Sequence, residues 1–329
     1  MMSNAVRLGV TLAVGILVAP LAAEAQQPAK VPRIGILTPG PLAPRSHLFE
    51  AFRQGLRDLG YTEGQNIAIE FRSAEGQFEK LPDLAAELVR LKVDVIVAAT
   101  TSASVAAKQA TTTIPIVMAV VGDPVGMGLV ASVPRPGGNI TGLDLFSADI
   151  AGKRLELLKE SVPRASRVAA LWNPSNQITA RQWKETQVAA RTLGVQLRSL
   201  EVRRSDEFES AFRAATRGRA GALIALDDVL LFTHQTLIAD FAAKNRVPAI
   251  SGFREFVEAG GLMAYGTHLP ALYRRAATFV DKILKGAKPA DLPVEQPMRF
   301  ELVINMKTAR ALGLTIPPSI LVRADHLIQ

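Results

Sequence analysis

The chain has 329 residues, 48% of them apolar, with 38 Lys and Arg against 30 Asp and Glu, a formal charge of +8, four histidines and no cysteine. That composition excludes disulfides, thiolate nucleophiles and Cys-ligated zinc, and His47, His234, His268 and His326 are too dispersed to form a His-x-x-x-His metal pair. The basic excess lies in short clusters such as Arg203-Arg204 and Arg274-Arg275 without interleaved aromatics, so no nucleic-acid partner is expected.

In chain order, Arg7 precedes an apolar run of about 14 residues from Leu8 to Leu21, and Ala23-Glu24-Ala25 follows with small residues at an A-x-A cleavage site. Residues 1–25 therefore read as a cleaved secretory signal, since the run falls short of the ~20 residues a membrane-spanning helix needs. With no cysteine to carry a lipid, the mature chain is expected to be exported, periplasmic and not lipid-anchored. The roughly 300 residues that remain exceed the usual ~100–200 of one domain, so two are expected.

From there, short β-branched apolar runs alternate with longer segments of helical period, which predicts α/β architecture with parallel sheets. Ile34–Leu37 reads as a buried strand, and Leu48, Phe49, Phe52, Leu56 and Leu59 mark the helix that Gly60 ends. Ile67, Ile69 and Phe71 alternate with polar residues, as an edge strand does, while Val93–Ala98 is apolar enough to be central. Further strands are expected at Ile116–Val121, Arg167–Trp172, Val195–Leu200, Ala222–Leu226, Pro248–Ile250, Leu262–Tyr265 and Arg299–Asn305. The rhythm breaks at Pro134-Arg135-Pro136-Gly137-Gly138-Asn139, a rigid turn, and alternation resumes near Ile150.

Ligands of open α/β sheets bind beyond the carboxyl ends of the strands. The turns there are small and polar: Thr38-Pro39-Gly40, Thr100-Thr101-Ser102, Gly122-Asp123-Pro124, Asn173-Pro174-Ser175-Asn176, Asp227-Asp228 and Gly266-Thr267. The same residue types cap helices and form turns, so each position carries a structural reading beside the ligand-binding one. Ser102 opens a helix whose free N–H groups favour an anion, and Asp123, Asp227 and Asp228 suit an ammonium or sugar hydroxyls. Trp172 and Tyr265 end strands, where a ring can either stack on a ligand or pack into the core, and Trp183 reads as core. No nucleophile elbow, Walker A loop or dinucleotide fingerprint is present, and no metal or cofactor is expected.

The string from Val121-Gly-Asp-Pro-Val-Gly-Met-Gly to Ser132, followed by Arg135-Pro-Gly-Gly-Asn-Ile-Thr-Gly142, resembles a family of solute-binding proteins of ABC transporters. The resemblance extends to Ile34-Gly-Ile36, Phe52-Arg-Gln-Gly-Leu-Arg-Asp-Leu-Gly-Tyr61, Asn66-Ile-Ala-Ile-Glu-Phe71 and Asn173-Pro-Ser-Asn176. It implies a type I periplasmic-binding fold, two Rossmann-like lobes joined by a three-crossing hinge and closing over ligand. The expected division is residues 33–146 plus about 264–290 for the N-terminal lobe, and 147–263 plus about 291–323 for the C-terminal lobe.

Some relatives bind aromatic amino acids, notably tryptophan, and others are described as sugar receptors. On the resemblance, Thr100, Thr101, Ser102 and Asp123 would line one wall of the cleft, and Asn173, Ser175, Asp227 and Tyr265 the other, with Thr38 and Trp172 added as candidates by their places at strand ends. Thr101, Ser102 and the helix N-terminus would hold a carboxylate, Asp123 or Asp227 an ammonium, and Trp172 or Tyr265 would cover the side chain. The implied function is a monomeric, non-catalytic receptor that captures a small solute, an amino acid in the first instance, for an inner-membrane ABC permease with its ATPase. The rival readings are an exported hydrolase using Asp123 with Asp227 or Asp228, and the ligand-sensing subunit of a membrane sensor.

Overall fold

The structure, a computed structural model, describes residues 31–329 apart from position 298, so the expected signal sequence lies outside the described residues. The first half of the chain builds one sheet. Its elements are β1 (Arg33–Thr38), α1 (Ser46–Asp58), β2 (Ala68–Ser73), α2 (Leu81–Arg90), β3 (Val95–Ala98), α3 (Thr101–Ala110), β4 (Ile116–Val121) and β5 (Ile140–Asp144). The strands are parallel in the order β2-β1-β3-β4-β5. β2 is half-buried along its length, as its alternation predicts, and β3 is buried throughout. β5 departs from the expectation. The rigid Pro/Gly turn leads straight into a strand, and Gly142 within it interrupts the apolar run that would have marked it.

The second sheet follows through α4 (Ala151–Ser161), β6 (Arg167–Trp172), α5 (Gln177–Thr192), β7 (Gln196–Glu201), α6 (Phe208–Arg217) and β8 (Ala222–Ala225). After it come α7 (Val229–Thr233), α8 (Gln235–Lys244), β9 (Ala249–Ser251), α9 (Arg254–Glu258) and β10 (Met263–Gly266). The next helix, α10 (Leu269–Leu284), packs on α1, β4 and β5. Gly55 of α1 lets the two helices approach, since a Cβ there would lie 2.5 Å from the Arg274 carbonyl oxygen. The chain then returns to the second sheet as β11 (Glu301–Asn305), α11 (Met306–Ala311), α12 (Pro318–Leu321) and β12 (His326–Ile328), past the expected limit at 323.

The seven strands run β12-β11-β10-β9-β8-β6-β7. All neighbouring pairs are parallel except β10 and β11, where the end of β10 pairs with the start of β11, Gly266 opposite Glu301. The reason is topological. The chain leaves this sheet at the carboxyl end of β10 and re-enters at the same end, so β11 must run the other way.

Each sheet is packed on both faces by apolar clusters, as near-continuous apolar parallel strands require. Three segments join the sheets, and they are tied to one another. Gln296 Nε2 donates to Asp144 Oδ2 at 3.2 Å, and Thr267 Oγ1 donates to the Leu145 carbonyl at 3.2 Å. Asp144 Oδ1 accepts from the Phe146 N–H at 2.8 Å and holds that residue at φ 56°, a left-handed conformation unusual for a bulky side chain. Burial pushes the Asp144 carboxyl up from its usual range.

Candidate ligand-binding site

Both sheets reverse strand order once: between β1 and β3 in the first, between β6 and β8 in the second. Crevices open at such switch points. A cavity lies between the two, lined by Arg45 after β1, Thr100, Thr101 and Ser102 after β3, Asn176 after β6, and Asp227 and Asp228 after β8. The space among its lining atoms, open solvent at the mouth included, is about 610 Å³.

Arg45 is the feature that sets the chemistry. It is 5% exposed, and its guanidinium donates from Nη1 to Thr38 Oγ1 at 2.8 Å and from Nη2 to the Tyr273 hydroxyl at 2.9 Å. Both partners are neutral, so a buried cation faces the cavity with no carboxylate beside it among the described residues. Tyr273, 1% exposed, passes its own proton toward the Ala99 carbonyl at 3.3 Å, and burial pushes its phenol above the usual range. Thr100 caps α3 by accepting from the Ala103 N–H at 3.3 Å, and Thr101 Oγ1 accepts from the Gly122 N–H at 3.1 Å.

The opposite wall is acidic. Asp228 is 3% exposed and accepts from Asn176 Nδ2 at 2.9 Å and from the Leu230 N–H at 2.7 Å, capping α7. No cation accompanies it among the described residues. Asp227, 4% exposed, accepts from Arg154 Nη2 at 2.7 Å, and Arg154 Nε donates to the Tyr265 carbonyl at 2.7 Å. Asp227 Oδ1 is buried without a hydrogen-bond partner among the described residues. Gln182 Oε1 fixes the Asp227 backbone by accepting its N–H at 2.9 Å. Burial pushes both carboxyls up, with Arg154 pulling Asp227 back and the neighbouring carboxylate adding to the rise. Arg154 neutralises one of the two, which leaves one net negative charge on this wall and one net positive charge, Arg45, on the other.

Between the charged walls the lining is apolar: Leu48, Val120, Leu145, Phe232, Phe253 and Leu269, with Phe232 and Phe253 edge to face at 5.1 Å between centroids. This arrangement can hold a zwitterion by its two charges and enclose an apolar group beside them.

Of the residues expected from sequence, Thr100, Thr101, Ser102 and Asp227 meet in this cavity. Thr38 stands behind it and orients Arg45. Asn173 and Ser175 lie outside it. Asn173 Nδ2 approaches Asp228 Oδ2 at 3.4 Å, and its Oδ1 accepts from the Ser175 N–H at 3.0 Å.

The structure places three others away from this cavity. Asp123 does not line the cavity; at φ 47° it accepts from the Gly126 N–H at 2.9 Å and its carboxylate pairs with Arg181 of α5. Trp172 is 8% exposed and turns into the core of the second sheet, stacked on half-buried Trp183 at 5.5 Å with its Nε1 donating to Ser199 Oγ at 2.7 Å. Tyr265 packs on Phe300 at 5.9 Å, beside the crossing segments.

Asn176, in a turn the strand ends point to, also lines the cavity, whereas sequence reasoning missed Arg45 and Tyr273. Arg45 carried one signal: it sits after Pro44 in the loop at the carboxyl end of β1, directly ahead of α1. Contacts across the cleft draw the two walls together. Asp123 meets Arg181, and His47 Nε2 lies 3.0 Å from Glu255 Oε1.

A family model described as ABC transporter substrate binding protein matches residues 44–328. A tyrosine-binding protein of Clostridioides difficile (strain R20291) is 30% identical over 266 residues, 80% of this chain and 76% of that protein. The ABC domain from Streptococcus pneumonia in complex with L-Trp is 28% identical and superposes with a TM-score of 0.83, covering 90% of this chain and 99% of that one. The ligand-free, open structure of a substrate binding protein with adhesive properties from Clostridium difficile is 27% identical and covers 91% and 100%, with a TM-score of 0.65. At nearly the same identity, this chain superposes better on the L-Trp complex than on the open form.

Proposed function

Because the chain belongs to the family of ABC transporter substrate-binding proteins, we propose that it captures an aromatic L-amino acid between its lobes and presents it to a membrane permease. The observation that carries this reading is the buried Arg45 guanidinium, held by neutral partners and facing the buried carboxylates Asp227 and Asp228. A ligand carboxylate completes Arg45 with Tyr273, and its ammonium completes Asp228 and the free Asp227 Oδ1. Each charge alone in a desolvated site is costly, so a zwitterion satisfies both at once where a sugar leaves Arg45 without an anion. Phe232, Phe253 and the aliphatic residues beside them accept the ring, in keeping with what the tyrosine-binding relative and the L-Trp complex are named for.

Binding shifts an open–closed equilibrium because only the closed form brings both walls onto the ligand. No reaction is assigned to this subunit. The carboxylate pair a hydrolase would need is divided, with Asp123 engaged by Arg181 away from the cavity. We take residues 33–146 with about 264–290 as one lobe and 147–263 with the remainder as the other, and the working form as a periplasmic monomer released by cleavage of residues 1–25. Calorimetry decides the ligand class. L-tyrosine or L-tryptophan is expected to bind in the micromolar range; binding of sugars with none of any amino acid would sink the reading.

A further inference from the structure

The cavity is not the end of the cleft. A second pocket adjoins it, about 690 Å³ by the same measure, and shares Thr101, Ser102 and Asn176 as its inner wall. Its first-lobe side is Phe78 in the turn before α2 and Leu81 and Pro82 at the start of α2, with Val105 and Gln109 on α3; Ser175 and Gln177 close it from the second sheet. Two properties distinguish it. None of its lining residues is charged, whereas the outer groove beyond carries Glu75, Glu79, Arg203 and Arg204. Both sheets contribute walls, so anything filling it adds contacts available only in the closed form.

A neutral pocket rejects an ionised group, which would be stripped of water without a counter-charge. It accepts an apolar body with an occasional hydrogen-bonding atom, for which Gln109, Gln177 and Ser175 stand ready. It also cannot take the second residue of a dipeptide, since inserting a peptide unit separates ammonium from carboxylate and detaches one of them from Arg45 or Asp228.

We propose that this pocket is an extension subsite for the ligand side chain, so that the receptor takes α-amino acids bearing a neutral substituent longer than an ordinary aromatic ring. The inference rests on the amino-acid reading above: the α-carbon stays between Arg45 and Asp228, and the distal group passes between Ser102 and Asn176. Val105 is the position to block, because it is half-buried and lines this pocket but not the central cavity.

The test compares L-tyrosine with O-benzyl-L-tyrosine by calorimetry on the full mature chain, wild type and Val105→Trp, with far-UV dichroism as the check on folding. Wild type is expected to bind both. In Val105→Trp, O-benzyl-L-tyrosine is expected to weaken by about tenfold or more, the loss of a buried ring's contacts, while L-tyrosine stays within about threefold. A smaller second variant, Val105→Phe, is expected to give the same order of effects should the tryptophan impair folding. Wild type that binds L-tyrosine and refuses the benzyl ether overturns the subsite, as does an equal loss of both ligands, which would make the pocket the ordinary side-chain site. Wild type that binds neither overturns the amino-acid reading itself.

Discussion

Arg45 illustrates how burial changes what a residue means. On a surface an arginine of a basic chain is a solvated charge, but at 5% exposure with a threonine and a tyrosine for company it needs an anion it does not have. Replacing it by methionine, of similar length, leaves a ligand carboxylate desolvated without its partner. Affinity for L-tyrosine is expected to fall by roughly 30-fold or more, since truncating one side of a buried charge pair costs about 2–5 kcal/mol. Equal titration curves for wild type and Arg45→Met would remove Arg45 from the site.

Asp228 gives the complementary handle, through pH. Its carboxyl and that of Asp227 are pushed above the usual range by burial, so the empty protein holds protons there that an unfolded chain has already released. Their contribution to stability is therefore favourable in mild acid and is lost as pH rises through the raised values. A ligand ammonium favours the ionised form, so the sign for binding is reversed. Affinity should weaken as pH falls through that window, with proton release on binding, and Asp228→Asn should bind weakly at every pH and flatten the profile. Calorimetry in buffers of different ionisation enthalpy reads the proton directly.

These residues also show what was legible beforehand. The positions of Thr100, Thr101, Ser102 and Asp227 follow from where strands end, which apolar runs reveal. The side of Trp172 is not legible for a simple reason: a strand-end ring can turn to either face of the sheet, and only Ser199 on the neighbouring strand and Trp183 on the overlying helix decide which. Arg45 and Tyr273 are 228 residues apart, and no local pattern joins them.

At the scale of elements, β5 and the short β12 are strands that periodicity did not find, and for β5 Gly142 explains both the miss and the packing. Its φ is 138°, and a Cβ there would stand 2.2 Å from the Met118 carbonyl oxygen, close to where the β4–β5 register shifts. Alanine at this position clashes with backbone that has nowhere to move. Gly142→Ala is expected to destabilise the fold by about 2–4 kcal/mol, seen as a lower midpoint in chemical denaturation. An unchanged midpoint would mean that β5 can shift freely against β4. The strands that alternation or continuous apolar runs announced, β2 and β3, lie at the edge and in the middle of their sheet for the burial reasons their patterns encode.

For the whole molecule, the contacts across the cleft matter more to equilibrium than to strength. Arg181 is 49% exposed, so its pairing with Asp123 is screened and worth at most about 1 kcal/mol. Arg181→Ala should accordingly weaken ligand binding by no more than about fivefold while raising the average radius of the ligand-free protein in small-angle scattering. A loss of 100-fold would instead place Arg181 on the ligand. The small size of this term suits a receptor, because a strong latch would hold the lobes shut without cargo and a closed empty molecule would compete at the permease.

The reversed strand β11 bears on how such a molecule is made. The second sheet is interrupted after β10 while the chain lays α10 against the first sheet, and only then do β11 and β12 arrive. A growing chain that has reached α10 therefore displays the hydrogen-bonding edge of β10, Met263 to Gly266, with no strand to cover it. The strand that seals that edge, β11, is made only after α10, so assembly of the two halves is interleaved, and a chain truncated before Glu301 would offer its neighbours an open template for association.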